Sequence, residues 1–196
     1  KTLTKKVVRG TIPVESVVAS YMINDKVGFI KIEQFSLATA FEFNDAANRL
    51  KSQGLKKLII DLRNNGGGIL TGATEIADQF LAAGVPIVMT KGAHAPSYTY
   101  EATKEGALED IELVVLINSN SASASEILAG AIQDNDRGTI IGRRSFGKGL
   151  VQEDVLLRDG SNLRLTVARY YTPSGRCIQK EYNGDMKDYY NDQSDR

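Results

Sequence analysis

Twice in this chain a short apolar run stops at a cluster of small or polar residues and a helical pattern takes over. That repeat is the strongest constraint on the fold. In the second instance residues 113 to 117 are apolar throughout, residues 119 to 125 are small and mostly polar, and Ala124, Ile127, Leu128, Ala131 and Ile132 then recur on one helical face. In the first, residues 58 to 62, apolar except for Asp61, lead into Arg63-Asn64-Asn65-Gly66-Gly67-Gly68, after which Ala73, Ile76, Ala77, Phe80 and Leu81 mark a helix that ends at Gly84. Strand, tight turn, helix is the unit in both, which predicts an α/β fold. Apolar runs without alternation suit strands covered on both faces of a parallel sheet. Small side chains on such turns let a substrate approach the backbone, and free amides at a helix start can hold negative charge.

The flanking pattern predicts a β-rich entry, with strands over 3–9, 15–23 and 27–33, followed by a helix over about 38–53 that Gly54 terminates. Residues 86 to 90 read as a third buried strand, so that β-α-β repeats. Residues 92 to 110 show no clean period and predict a surface excursion able to cover a site. A strand over 139–142 follows, then a hairpin pairing 151–157 with 163–171 around Asp159-Gly160, and a turn at Thr172-Pro173-Ser174-Gly175. The expected organisation is a single core domain over 1–180 and a polar tail over 181–196, loosely packed or part of an element cut short.

Charge and cysteine content narrow the function classes. The 24 basic residues balance 24 acidic ones, so no basic field exists to attract nucleic acid, and none is expected as a partner. One cysteine, Cys177, excludes an internal disulfide and a cysteine-rich zinc site, and reads as a small buried hydrophobe. No stretch approaches the roughly 18 apolar residues of a membrane span. The start at Lys1-Thr2-Leu3-Thr4 has neither an initiator methionine nor a signal-peptide pattern, which suggests a piece of something longer.

Local motifs leave their own roles open. Gly66-Gly67-Gly68 lacks the G-x-G-x-x-G spacing and the lysine of a phosphate loop, leaving either a glycine turn for sharp reversal or an anion-holding turn. Ser123-Ala124-Ser125-Glu126 matches a capping box, and a cap worth about 1 kcal/mol would account for it. A nucleophilic serine needs a base. The only histidine, His94, lies in the irregular excursion. A lysine can serve if burial lowers its pKa by several units from about 10.4, and Lys148 in Phe146-Gly147-Lys148-Gly149 is the best candidate, with an exposed turn lysine as the plain alternative.

Taken together, the segments resemble the C-terminal processing peptidases, or tail-specific proteases, a serine peptidase family with a Ser-Lys pair. The resemblance rests on residues 27–32 and 58–68, on the serine segment 121–130, on Ser145-Phe146-Gly147-Lys148-Gly149-Leu150-Val151-Gln152, and on Arg169-Tyr170-Tyr171-Thr172-Pro173-Ser174-Gly175. It implies a core like that of the crotonase and Clp-protease superfamily, with stacked β-α units. It implies Ser123 as nucleophile, Lys148 as general base, Gln152 as its orienter, and Ser121 and Ser125 as supporting residues. The Ala124 amide with that of Gly67 or Gly68 would form the oxyanion hole, and Asp134 would be structural. No metal or organic cofactor is implied. The implied partners are proteins or peptides bound by their C-terminal regions, in the bacterial envelope or periplasm, with membrane association only through parts outside this chain. Gly66 stands where the family usually has proline, Ser145 where threonine is frequent, and Arg143-Arg144 where an acidic residue is common. No stretch resembles the family's usual PDZ domain. The rival readings are a noncatalytic binding module on the same fold and an acyl-thioester enzyme that binds coenzyme A.

Overall fold

The computed structural model describes residues 3–6, 8–10, 14–103, 106–182, 184 and 186–191. In chain order the elements are β1 (Val17–Met22), β2 (Val27–Ile32), α1 (Thr39–Ser52), β3 (Lys57–Asp61), α2 (Leu70–Asp78), β4 (Pro86–Lys91) and β5 (Tyr98–Glu101). There follow β6 (Glu112–Ile117), α3 (Ala124–Asp134), β7 (Thr139–Gly142), β8 (Leu150–Leu156), β9 (Asn162–Tyr171) and α4 (Met186–Asn191). Residues 3–6 and 8–10 contain no strand, correcting that expectation, and Val7 lies outside the described residues.

Returning helices make the first sheet parallel. Its order is β1-β2-β3-β6-β7, with β1 antiparallel to β2 and the other neighbours parallel. Ile30, Ile60 and Val115 stand in register and are fully buried. α1 presents Ala40, Phe43, Ala46, Ala47 and Leu50 as one buried stripe, and Glu42 in its first turn accepts the Ser16 and Val17 amides, which ties in the start of β1. α3 is buried from Ala124 to Ile132 because α2, β4 and β7 pack around it. Arg137 staples its far end, donating to the carbonyls of Phe80, Leu108, Glu109 and Ile111. The expectation that β3 is covered on both faces is corrected: Leu58 and Ile60 are buried, but Phe29, Ile59 and Val114 on the opposite face are only half-buried.

A second correction concerns β4. It does not extend the parallel sheet, because β6 takes the place beside β3; instead β4 joins an antiparallel sheet ordered β5-β4-β9-β8. An apolar run specifies burial and leaves open which sheet receives it. The excursion over 92–110 supplies β5, and the hairpin pairs β8 with β9 around the expected turn. Among the described residues no helix is long and apolar enough to cross a membrane.

Phe43 is fully buried, edge-on to Phe80 at 6.0 Å between ring centroids, whereas Phe41 two residues earlier is 77 % exposed. Phe43→Ala is expected to cost about 3–5 kcal/mol in urea unfolding, and Phe41→Ala less than about 0.5 kcal/mol.

Candidate functional site

β3 and β6 are parallel neighbours, so the loops after them emerge at the same edge of the sheet. Hydrogen bonds lace the two loops together. The Asn64 amide donates to Asn118 Oδ1 (3.0 Å), Ser121 Oγ donates to the Leu62 carbonyl (2.8 Å), and the Ala122 amide and Ser125 Oγ both donate to the Asn65 carbonyl (3.0 Å each). Asn65 is fully buried; its Nδ2 donates to the Ile32 carbonyl (3.0 Å) and its Oδ1 accepts the Gly67 amide (2.8 Å). One asparagine thus holds β2, the glycine loop and the serine loop in one arrangement. Sequence reasoning passed over it, although an asparagine two residues before a turn glycine is the signature of a side chain that hydrogen-bonds its own loop.

Ser123 sits at the join of the serine loop and α3 with φ 56° and ψ −114°, a left-handed conformation for a residue with a side chain. Such a conformation costs on the order of 1–3 kcal/mol, and backbone strain of this kind concentrates at functional sites. Ser121 and Ser125, expected as supporting residues, are fully buried with both hydroxyls donating to carbonyls, while Ser123 is only half-buried. Both partners of the capping box face each other, yet only the glutamate arm has full hydrogen-bond geometry. The Ser123 amide donates to Glu126 Oε2 (2.8 Å), and the Glu126 amide donates to the Ser123 carbonyl (2.9 Å).

The glycine loop lies directly against this turn. A Cβ on Gly67, whose φ is +94°, would fall 2.5 Å from the Ala122 carbonyl oxygen, 2.7 Å from Ser123 Cβ and 2.9 Å from the Ala124 nitrogen. Ala124 is the first residue of α3, so its amide has no acceptor within the helix. Among the described residues it has none elsewhere either. Of the two glycine amides expected here, that of Gly67 is spent on Asn65. The Gly68 amide has no acceptor among the described residues, because the flanking bonds to Phe35 are made by the Gly67 carbonyl and the Ile69 amide.

Glu126 joins the serine to the lysine segment. Its Oε2 accepts the Ser123 and Lys148 amides (2.8 Å each), and its Oε1 accepts Ser145 Oγ (2.7 Å) and the Gly147 amide (2.6 Å). Burial pushes the Glu126 carboxyl above its ordinary value against the pull of these donors. Lys148 itself is exposed, as in the plain alternative of an exposed turn lysine, and among the described residues no hydrogen bond joins its amine to Ser123 or to Gln152. Gln152 is exposed on β8 opposite Thr166. The reason lies in the packing. Phe146 turns its ring toward Tyr189 and Tyr190 rather than covering the lysine, and the glycines on either side of Lys148 are approached by residues 178–180.

The remaining candidates lie apart. His94 is exposed in the loop after β4, and Cys177 is exposed rather than buried, bridging to Tyr171 through the backbone. Asp134 closes the far end of α3, accepting the Ser174 amide (3.1 Å) and hydroxyl (2.6 Å) and pairing with Arg176. Among the described residues no group of three or more His, Cys, Asp or Glu side chains is placed to hold a metal ion.

A family model described as Peptidase family S41 matches residues 26–188. Over 184 residues the chain is 42 % identical to a carboxy-terminal-processing protease of Bartonella bacilliformis, covering 91 % of this chain and 42 % of that protein. It is likewise 42 % identical over 179 residues to a carboxyl-terminal-processing protease of a Picosynechococcus species, covering 90 % of this chain and 43 % of the relative. Among solved structures, a photosystem II D1 C-terminal processing protease superposes with a TM-score of 0.73 at 39 % identity, over 78 % of this chain and 39 % of that one. A further solved structure, from Bacteroides fragilis, has the same fold at 18 % identity, with a TM-score of 0.68 over 85 % of this chain and 49 % of that one. The chain therefore spans less than half the length of the curated relatives it matches.

Asp61, buried at the end of β3, buttresses the glycine loop by accepting the Arg63 amide and guanidinium (2.8–2.9 Å), with Lys31 at 3.9 Å. Burial pushes its carboxyl up, but the Arg63 hydrogen bonds and the Lys31 charge outweigh burial and hold it below the ordinary value. A carboxyl that titrates lower in the fold than in the unfolded chain contributes stability above its unfolded pKa and loses it as pH falls through the folded value. Asp61→Asn is therefore expected to melt several degrees lower than the parent protein at pH 7, with the gap closing below about pH 4 in thermal melts across that range.

Proposed function

The chain belongs to peptidase family S41, and from that premise we propose that it is the core of a serine endopeptidase that cleaves proteins near their C-termini with Ser123 as nucleophile and Lys148 as base. The observation that carries the reading is the strained Ser123 turn packed against Gly67, with the Ala124 amide unclaimed at the turn and the Gly68 amide unclaimed in the adjoining glycine loop. The names of the relatives support the C-terminal preference.

In the proposed reaction Ser123 Oγ attacks the substrate carbonyl carbon and its proton passes to the Lys148 amine. The lysine backbone is already tied to the serine through Glu126, so the four-carbon side chain alone has to bring the amine to the hydroxyl. The oxyanion that forms is held by the Ala124 and Gly68 amides, a service worth about a hundred- to a thousand-fold in turnover per donor. The C–N bond then breaks, and the lysine ammonium gives its proton to the leaving amine. Water attacks the acyl-enzyme, loses its proton to Lys148, and releases the carboxylic acid while the serine regains its hydrogen. Gln152, four residues beyond Lys148, would orient the amine. No metal or organic cofactor enters these steps. The proposed setting is the bacterial envelope or periplasm, with the core over 1–180 and protein or peptide substrates.

One observation favours the rival reading of a noncatalytic peptide-binding module. The Lys148 amine is exposed and makes no hydrogen bond to Ser123 among the described residues. A serine-directed fluorophosphonate decides between them. Labelling of the parent protein at Ser123, with turnover abolished in both Ser123→Ala and Lys148→Ala, is the expected result; an unlabelled serine, or near-normal cleavage by either variant, would sink the Ser-Lys assignment. Gly67→Ala is expected to reduce kcat at least about a hundredfold while the protein still folds, because its methyl group would force the glycine loop off the Ala124 amide.

A further inference from the structure

Lys148 is gripped from a side that the proposed chemistry does not use. Gly147, Lys148 and Gly149 are consecutive residues, and each of their amides is taken by a side-chain oxygen: Glu126 takes the first two, and Gln179 Oε1 takes the Gly149 amide at 3.0 Å. The carbonyls on either side of the lysine are also claimed, that of Gly147 by the Lys180 amide (2.8 Å) and that of Gly149 by the Tyr170 amide (2.7 Å). The glycines exist for this contact. A Cβ on Gly149 would fall 2.4 Å from the Gln179 nitrogen, and one on Gly147, whose φ is +89°, would fall 2.7 Å from Lys180 Cβ.

Gln179 has its own orienter. Its Nε2 donates to Tyr189 Oη (2.8 Å) and to the Lys180 carbonyl (2.9 Å), and an amide whose nitrogen is committed to two acceptors must turn its oxygen toward Gly149. Tyr189 is anchored in turn. Its ring packs edge-on against Phe146 at 6.2 Å and against Tyr182 at 5.8 Å, and Lys180 Nζ lies 4.8 Å from the ring centroid while donating to the Tyr189 carbonyl (2.5 Å). The polar tail therefore reaches back onto the segment that bears the lysine, through one glutamine.

We propose that Gln179, oriented by Tyr189, is a positioning residue for the general base: it pins the Gly149 amide and so sets the direction from which Lys148 reaches Ser123. The proposal rests on the Ser-Lys reading above. Glu126 holds the segment on the serine side and Gln179 holds it on the tail side, so releasing either lets the lysine backbone rotate. A misplacement of about 1 Å can cost on the order of a hundredfold in rate.

The test uses peptide hydrolysis by Gln179→Ala, Tyr189→Phe and the double variant of the purified protein, with melting temperatures measured alongside. Tyr189→Phe keeps the ring on Phe146 and removes only the hydroxyl that orients Gln179. The expected result is a kcat at least about tenfold lower for Gln179→Ala with KM within about twofold, a smaller loss for Tyr189→Phe, and a double variant no worse than Gln179→Ala, because both act through one hydrogen bond. The rising limb of the kcat–pH profile should also shift in Gln179→Ala. Unchanged kcat, strictly additive losses, or losses that follow melting temperature with an unmoved pH profile would overturn the proposal. Fluorophosphonate labelling and Lys148→Ala in the same assay separate the two levels. If the parent protein labels and Lys148→Ala is dead while Gln179→Ala matches the parent, the positioning role alone fails; if the parent neither labels nor depends on Lys148, the Ser-Lys reading fails and carries this proposal down with it.

Discussion

Two carboxylate oxygens hold the candidate site together. Glu126 sits on the first turn of α3 and accepts hydrogen bonds from Ser123 behind it and from Ser145, Gly147 and Lys148 on the segment between β7 and β8. The serine belongs to the first sheet's loops and the lysine to the chain that crosses to the second sheet, so this carboxylate is the joint between them. Burial of the carboxylate makes the arrangement expensive to leave half-made, since a Glu126 oxygen deprived of its donors would be left unpaired away from water. The same donors explain how a carboxylate can be buried with no ion pair among the described residues.

Asn65 performs the complementary task on the other side of Ser123. By taking the Gly67 amide it bends the glycine loop, and by offering its carbonyl to Ala122 and Ser125 it seats the serine loop on that bend. The close approach this creates leaves no room for a Cβ on Gly67. Spending the Gly67 amide on a side chain leaves the neighbouring Gly68 amide, which has no acceptor among the described residues, as the donor of that pair still open. Backbone strain at Ser123 is tolerated because Asn65 and Glu126 hold its neighbours from opposite sides.

The second sheet brings the candidate base to the site and keeps it in solvent. β8 begins at Leu150 directly after the Lys148 segment, β9 feeds the strap at 178–180 that lies on Gly147 and Gly149, and the tail closes over Phe146 through Tyr189 and Tyr190. Two glycines around a lysine permit close approach of other backbone without saying whether the side chain is enclosed. Here the glycines admit the strap, which braces the backbone and leaves the amine exposed.

The strand-turn-helix units, the serine and glycine loops and the β8–β9 hairpin were legible in the sequence, because periodicity and turn chemistry are carried by residues within a few positions of one another. So was the glutamate as a cap, since Ser123 and Glu126 are three residues apart. The tertiary structure alone decided that β4 leaves the parallel sheet, that Glu126 also serves amides more than twenty residues away, that Asn65 couples the two loops, that Cys177 and Lys148 face solvent, and that Gln179 reaches Gly149. Each of those depends on which distant backbone groups need a partner once the sheets have packed, and no local pattern of residues records that demand.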